Sequence, residues 1–123
     1  MLAFWLGLNS LFEFAVAIAF ILAPQQFFGA EISSLEFALA RVVGAGAIAI
    51  GSLSLFFVLN QILLKSSLAL HPAIATLAIF HGSVALVQWL NFSNQAAPLA
   101  IAIIHSGFAV TFLVCSYRLY FPS

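Results

Sequence analysis

The sequence predicts an all-α fold, an up-down four-helix transmembrane bundle. Of its 123 residues, 65% are hydrophobic and only 5% are charged, whereas a soluble domain carries about 25% charged residues. No Lys, Arg, Asp or Glu occurs between Ser66 and Tyr117, and that run is long enough to cross a bilayer twice. A soluble chain of this length could not bury so much apolar surface. The excess must therefore face lipid.

Four apolar segments approach or exceed the length of about 20 residues that one helical crossing requires. Helices are expected rather than strands, because the edges of an open sheet cannot be hydrogen-bonded in lipid. Short connections predict that consecutive helices run in opposite directions. The chain is thus predicted to be a single membrane domain, residues 1–123, with spans at about 2–23, 34–59, 72–90 and 98–119.

Local signals place the ends of these spans. Ser33 and Glu36 have the spacing of a capping box at the start of the second span, which could continue as far as Leu64. Pro72 and Pro98 open the third and fourth spans, because proline is well suited to the first helical turn.

Charge distribution indicates orientation and partners. Four spans place both termini on one side, and the basic residues Lys65 and Arg118 share that side. The positive-inside rule then favours termini on the cytoplasmic side of a bacterial inner membrane, or its equivalent in an organelle. The formal net charge is zero, which argues against a nucleic-acid partner. The expected partners are the lipid bilayer and membrane proteins, including further copies of this chain.

Small residues are concentrated in the second span, where Gly44, Gly46 and Gly51 would allow other helices to approach closely. The stretch Ala40–Gly51 has the pattern A-R-x-x-G-A-x-x-x-x-x-G. In this pattern and in its four spans the chain resembles the small bacterial membrane proteins of the DoxX-like kind. The resemblance implies the four-helix fold, and some members of that group are linked to quinone-dependent sulfur oxidation.

Each span contributes one ionisable side chain, about 10–15 Å below the outer end of its helix at 1.5 Å per residue; these are Glu13, Arg41, His81 and His105. Asn9 shares a helical face with Glu13, and Gln88 shares one with His81. Charged groups within spans usually face the interior. We therefore predict a buried polar layer containing Asn9, Glu13, Arg41 and Gln88, with Glu13 and Arg41 forming an ion pair.

His81 and His105 allow three interpretations. They could be structural, hydrogen-bonded to a neighbouring helix. They could instead hold a cofactor, as axial ligands of a haem or a chlorophyll-type pigment or at a quinone site, with Gly82, Ser106 and Gly107 leaving room beside them. The 14 Phe residues could line such a pocket.

In the third interpretation the two histidines and Glu13 bind a metal ion, which the positive charge predicted for the neighbouring Arg41 would oppose. Glu13 also allows a transport interpretation, because a carboxylate within a membrane can exchange a proton for a substrate. The chain size, the four spans and the Glu in the first span resemble the small multidrug resistance family. The glycine and aromatic motifs of that family's later helices are absent from this sequence.

The sequence favours a non-catalytic function. It contains no nucleophile–base pair, phosphate-binding loop or metal motif, and little of the chain lies outside the four spans. We expect an accessory or assembly subunit of a larger membrane complex, holding a haem, quinone or pigment near His81 and His105. The alternative is a proton-coupled transporter of small molecules that uses Glu13.

Overall fold

A computed structural model describes residues 2–28, 31–64, 70–90 and 96–120, and within these ranges the chain is almost entirely helical, without a β-strand. The all-α, four-helix class is confirmed. The helices are α1 (Leu2–Leu22), the short α2 (Gln25–Phe28), α3 (Ser34–Leu59), α4 (Leu70–Leu90) and α5 (Ala96–Tyr120). Lys65 and the polar stretch 91–95 lie outside the described residues.

Four of these helices, α1, α3, α4 and α5, have the length and apolar composition needed to cross a membrane. The chain is therefore an integral membrane protein. Large apolar side chains, among them Leu11, Leu22 and Val42, are exposed along them, as expected where lipid is the solvent. The ends of the helices differ from those of the predicted spans by at most two residues. Both α4 and α5 begin two residues before their proline, which lies within the first turn and so removes no helical hydrogen bond.

The predicted capping box at the start of α3 is confirmed. The backbone N–H of Glu36 donates to Ser33 Oγ at 3.2 Å, and the backbone N–H of Ser33 donates to Glu36 Oε2 at 2.8 Å. At its other end α3 continues as a π-helical turn, Asn60–Leu64, in which Asn60 Nδ2 donates to the Phe56 carbonyl oxygen at 2.8 Å. The second span therefore extends to Leu64, as the sequence allows.

The chain forms two compact units, Met1–Ser66 and Ser67–Ser123. In the first unit α1 and α3 are antiparallel, with Gly44 facing the end of α1 and Gly51 facing its middle. The face of α3 turned inward carries mostly small residues, namely Ala40, Gly44, Ala47, Gly51 and Ser54. Gly46, in contrast, is exposed, and a Cβ added there would meet nothing within 4 Å. Close packing thus involves two of the three glycines of α3.

In the second unit α4 and α5 are antiparallel and pack through larger side chains. The rings of His71 and Tyr120 meet near one end, with centroids 4.9 Å apart. Trp89, near the other end of α4, donates from Nε1 to Ser106 Oγ of α5 at 3.1 Å. The apolar core of this unit consists mainly of Ile74, Leu77, Ala85, Ala102, Phe108 and Phe112.

The packing of α3 against α1 predicts that Gly44→Ala destabilises the protein. The added Cβ would lie 2.7 Å from Ile21 Cγ1 and 3.1 Å from the Ala17 carbonyl oxygen, and overpacking of this kind costs about 1–3 kcal/mol. The measurement is the free energy of unfolding in mixed micelles, followed by circular dichroism as SDS is added. Gly46→Ala is the matched control, because its Cβ meets open space. Equal effects of the two substitutions would contradict this packing.

Candidate functional site

His81 and His105, here called the histidine pair, face each other across the interface of α4 and α5. Both are buried, with 0% and 5% of their surface exposed. Their Nδ1 atoms are 2.8 Å apart, which is a hydrogen bond, and their ring centroids are 4.9 Å apart with the planes inclined by 38°. His81 lies at the middle of α4. The two residues that the sequence singles out are therefore in direct contact.

Three phenylalanines surround the histidine pair. The ring of Phe108 lies 5.0 Å from that of His81, inclined by 30°, and Phe112 stacks at 5.8 Å and 24°. Phe80 approaches both imidazoles by its edge, with centroids 5.0 Å from His81 and 6.2 Å from His105. The expectation that Phe residues line the histidine site thus fits this arrangement. These rings also restrict rotation of the imidazoles, because a buried ring turns only if its neighbours move.

The hydrogen bond fixes the roles of the ring nitrogens. In a neutral imidazole one nitrogen carries the proton and the other accepts, so one Nδ1 of the pair is protonated and the other is not. The histidine that donates through Nδ1 then has an accepting Nε2, while its partner has a protonated Nε2 that can donate. As a neutral unit, the histidine pair combines one acceptor and one donor at its two Nε2 atoms.

This geometry bears on the cofactors expected from the sequence. Two imidazoles that bind one haem iron lie on opposite sides of the macrocycle, with their ligating nitrogens about 4 Å apart at about 2 Å per metal–nitrogen bond. Whichever ring nitrogens ligate, the Nδ1 atoms of two such ligands lie at least that far apart, so imidazoles whose Nδ1 atoms are 2.8 Å apart leave no room for a macrocycle between them. The donor set does fit a ligand with carbonyl or hydroxyl oxygens, such as a quinone, which accepts from an N–H and whose reduced form donates to a ring nitrogen.

The other residues predicted around the pair have different environments. Gly82 is half-buried, and a Cβ added there would lie 4.0 Å from Ala109 Cβ. Gly107 is exposed, and an added Cβ would meet nothing within 4 Å, so Gly107 creates no space inside the unit. Gln88 is half-buried. The bond between Trp89 and Ser106 could not be predicted from the sequence, because spacing within one helix does not predict the register of two helices.

The first unit holds a second buried polar group. Asn9 Nδ2 donates to Ser54 Oγ at 2.9 Å, and both residues are fully buried. Glu13, one turn along α1, is 2% exposed. Gly51 makes room for it, since a Cβ there would lie 3.2 Å from Glu13 Cβ. Asn9 and Glu13 thus share a buried face, as predicted, whereas Ser54 was not predicted as a partner.

The prediction for Arg41 is wrong. Arg41 is exposed on α3, and its guanidinium lies 4.4 Å from the centre of the Phe37 ring, one turn nearer the start of the helix. A long cationic side chain near a helix end extends towards the membrane surface. Gly51, which faces Glu13, is ten residues from Arg41 on α3, or about 15 Å along the axis. The expected ion pair with Glu13 is therefore not formed.

The exposure of Arg41 also removes the argument that its charge would oppose a cation. Arg41 is therefore not part of the predicted buried layer, and a common layer of the remaining members, which belong to both units, stays a prediction. Comparison of the chain with protein-family models, with curated proteins and with solved structures gives no significant match. The resemblance to DoxX-like proteins is thus a hypothesis that depends on the sequence pattern alone.

The bond between Asn9 and Ser54 predicts that Ser54→Ala destabilises the first unit by about 1 kcal/mol, the usual net contribution of a buried hydrogen bond. The loss arises because the Asn9 amide remains buried without its acceptor. Ser52→Ala is the control, since Ser52 is exposed on the same helix. The free energy of unfolding of both variants, measured in mixed micelles, decides the point. If Ser52→Ala costs as much as Ser54→Ala, the bond does not stabilise the helix pair.

Proposed function

We propose that this chain is an accessory or assembly subunit of a larger membrane complex and that its histidine pair binds a quinone. The observation that carries the proposal is the direct contact of two buried imidazoles inside an aromatic interface. Lipid-soluble quinones reach such an interface from within the membrane. The resemblance to DoxX-like proteins, some of which are linked to quinone-dependent chemistry, favours the same ligand class.

The choice of a quinone over a macrocycle depends on the donor set. One N–H and one accepting nitrogen complement the oxygen atoms of a quinone or quinol, and the surrounding Phe rings would pack against its flat ring. Ligation of one haem by both histidines does not fit their contact at 2.8 Å. A haem or chlorophyll-type pigment would have to use a single histidine, and it is the competing ligand class.

The proposed subunit role is supported by how little of the described chain lies outside the membrane-spanning helices. Large apolar side chains are exposed on all four of them, and they can face either lipid or another membrane protein. Arg41 and Ser52 add polar groups to the exposed face of α3. We propose that a partner subunit, or a second copy of this chain, covers part of this surface, and that both termini face the cytoplasmic side.

Quinone binding predicts that the protein purified in a mild detergent retains a quinone, which solvent extraction and mass spectrometry would identify. His81→Gln and His105→Gln should each lose most of it, because an amide cannot replace the paired imidazoles. His71→Gln is the matched control, because His71 lies on α4 like His81, is half-buried, and contacts Tyr120 rather than the histidine pair. It should retain the quinone.

Two results would overturn the quinone assignment. An intense Soret band in the absorption spectrum, lost in His81→Gln or His105→Gln, would establish a haem or chlorophyll-type pigment. A protein that retains no quinone and takes up none when quinone is added to the detergent solution, while its helical content is intact, would show that the histidine pair does not bind a quinone. For the subunit role, native electrophoresis of mild membrane extracts should show the chain in an assembly, and migration as a monomer would contradict it.

A second candidate function is favoured by the burial of Glu13. Glu13 is 2% exposed and lies one turn from Asn9 on α1, and its Cβ packs close to Gly51 of α3. An acidic group kept inside a membrane protein is a common element of proton-coupled transport. The candidate function is a proton-coupled transporter of small molecules in which Glu13 carries the proton.

Transport through Glu13 predicts that Glu13→Gln abolishes uptake driven by a pH gradient in liposomes, because glutamine can hydrogen-bond but cannot exchange a proton. The test substrate is a lipophilic cation such as ethidium. Glu31→Gln is the control, since Glu31 is exposed between α2 and α3. This variant should take up the substrate as the wild-type protein does. Absence of gradient-driven uptake by the original protein, or equal uptake by Glu13→Gln, would eliminate this candidate for that substrate class.

A further inference from the structure

The histidine pair has a property that a single buried histidine lacks: its two rings meet through the same atom, Nδ1, at 2.8 Å. The bond can therefore exist in two forms, with either His81 or His105 as the donor. In each form the two Nε2 atoms have opposite roles. We infer that the histidine pair relays a proton between its two Nε2 atoms, an inference that rests on the proposed function because it assigns the pair's role at that site.

The relay conserves protons and charge. When His81 is the donor, a proton binds to His81 Nε2, the Nδ1–H bond of His81 breaks, and its proton forms an N–H bond with His105 Nδ1. The Nε2–H bond of His105 then breaks and releases a proton. One proton has entered and one has left, no electrons have moved, and both rings are neutral again. The hydrogen bond now runs from His105 to His81.

Burial favours such a relay over a stored charge. A lasting imidazolium at the middle of a membrane helix is costly, whereas transfer along the hydrogen bond leaves both rings neutral at its start and end. His81 is fully buried at the middle of α4, and His105 is buried beside it. The 2.8 Å separation needs no large movement of either ring, because the proton travels along an existing hydrogen bond.

Because of the aromatic surroundings, the relay can run backwards but cannot pass a second proton in the same direction. Passing a second proton in the same direction would require both imidazoles to rotate, and Phe80, Phe108 and Phe112 pack against them. The relay therefore returns to its first form by running backwards. This suits a ligand that takes up a proton in one half of its cycle and returns it in the other, and reduction and reoxidation of a quinone involve such an exchange.

The experiment is nitrogen-15 NMR of the full chain, labelled only at histidine and held in a mild detergent. The chain has 3 histidines, and His71, which contacts Tyr120 instead, serves as the internal reference. The relay predicts a scalar coupling between the Nδ1 atoms of His81 and His105 across their hydrogen bond. It also predicts that both rings exchange between two tautomers, either as averaged shifts or as two sets of signals related by exchange.

Variants separate the relay from simple hydrogen bonding. His81→Gln and His105→Gln retain a side chain that can bond across the interface, but an amide cannot accept a proton at one atom and release it at another. In each variant the nitrogen–nitrogen coupling should be lost, and the remaining histidine should show a single tautomer. His71→Gln should leave both the coupling and the exchange unchanged.

The relay is overturned if the coupling is absent, or if it is present while each ring keeps one fixed tautomer. Quinone retention, measured on the same sample, keeps this result distinct from the proposed function. A retained quinone with fixed tautomers would refute the relay and leave quinone binding intact. Exchanging tautomers in a protein that takes up no quinone would support the relay and refute quinone binding.

Discussion

Polar side chains buried between these helices must find their partners in protein, because hydrocarbon offers none, and the structure depends on this constraint. Each compact unit contains a buried side-chain bond between its two long helices: Asn9 to Ser54 in the first, His81 to His105 in the second. Such bonds contribute only about 0.6–2 kcal/mol each. Their larger effect is on register, since sliding either pair by a turn would leave the buried polar groups in an apolar environment.

The two units bring their helices together by different means. In the first, Gly44 and Gly51 allow the backbones to approach, so that a carbonyl oxygen of α1 lies close to Gly44. Helices in lipid associate mainly by such packing, because the hydrophobic effect does not drive them together. In the second unit the aromatic rings of Phe108 and Phe112 fill the interface and hold the imidazoles in fixed positions. Close backbone contact in the first unit and aromatic packing in the second are thus two ways of holding a pair of helices together in lipid.

Much of the fold could be predicted from the sequence because it depends on local composition. Apolar length defines the spans, and the Ser33–Glu36 spacing defines the start of α3. The side of α3 that packs was harder to predict. Ala40 and Arg41 lie on adjacent faces of α3. The rule that charged groups face inward predicted burial of the face with Arg41, whereas the structure buries the face with Ala40. The rule does not hold for an arginine whose long aliphatic side chain can extend towards the membrane surface. The small residues determine which face of α3 packs against α1 instead.

The candidate site was only partly predictable, for a different reason. Spacing along one helix tells which residues share a face, so Asn9 with Glu13 followed from the sequence. The partners of those residues depend on how far one helix is shifted along another, and no pattern within a single helix contains that shift. Ser54 and the contact between the two imidazoles therefore became evident only in the structure.

The contrast between the two units also bears on what the histidines do. The bond between Asn9 and Ser54 shows that this chain can align two helices with an amide and a hydroxyl, neither of which titrates near neutral pH. An imidazole adds nothing to that task, and it is bulkier. What it does add is a second nitrogen on the far side of the ring, so that a proton accepted there can be matched by one released towards the partner. Two histidines joined at Nδ1 extend that property across the interface, which a bond serving only to align helices does not require.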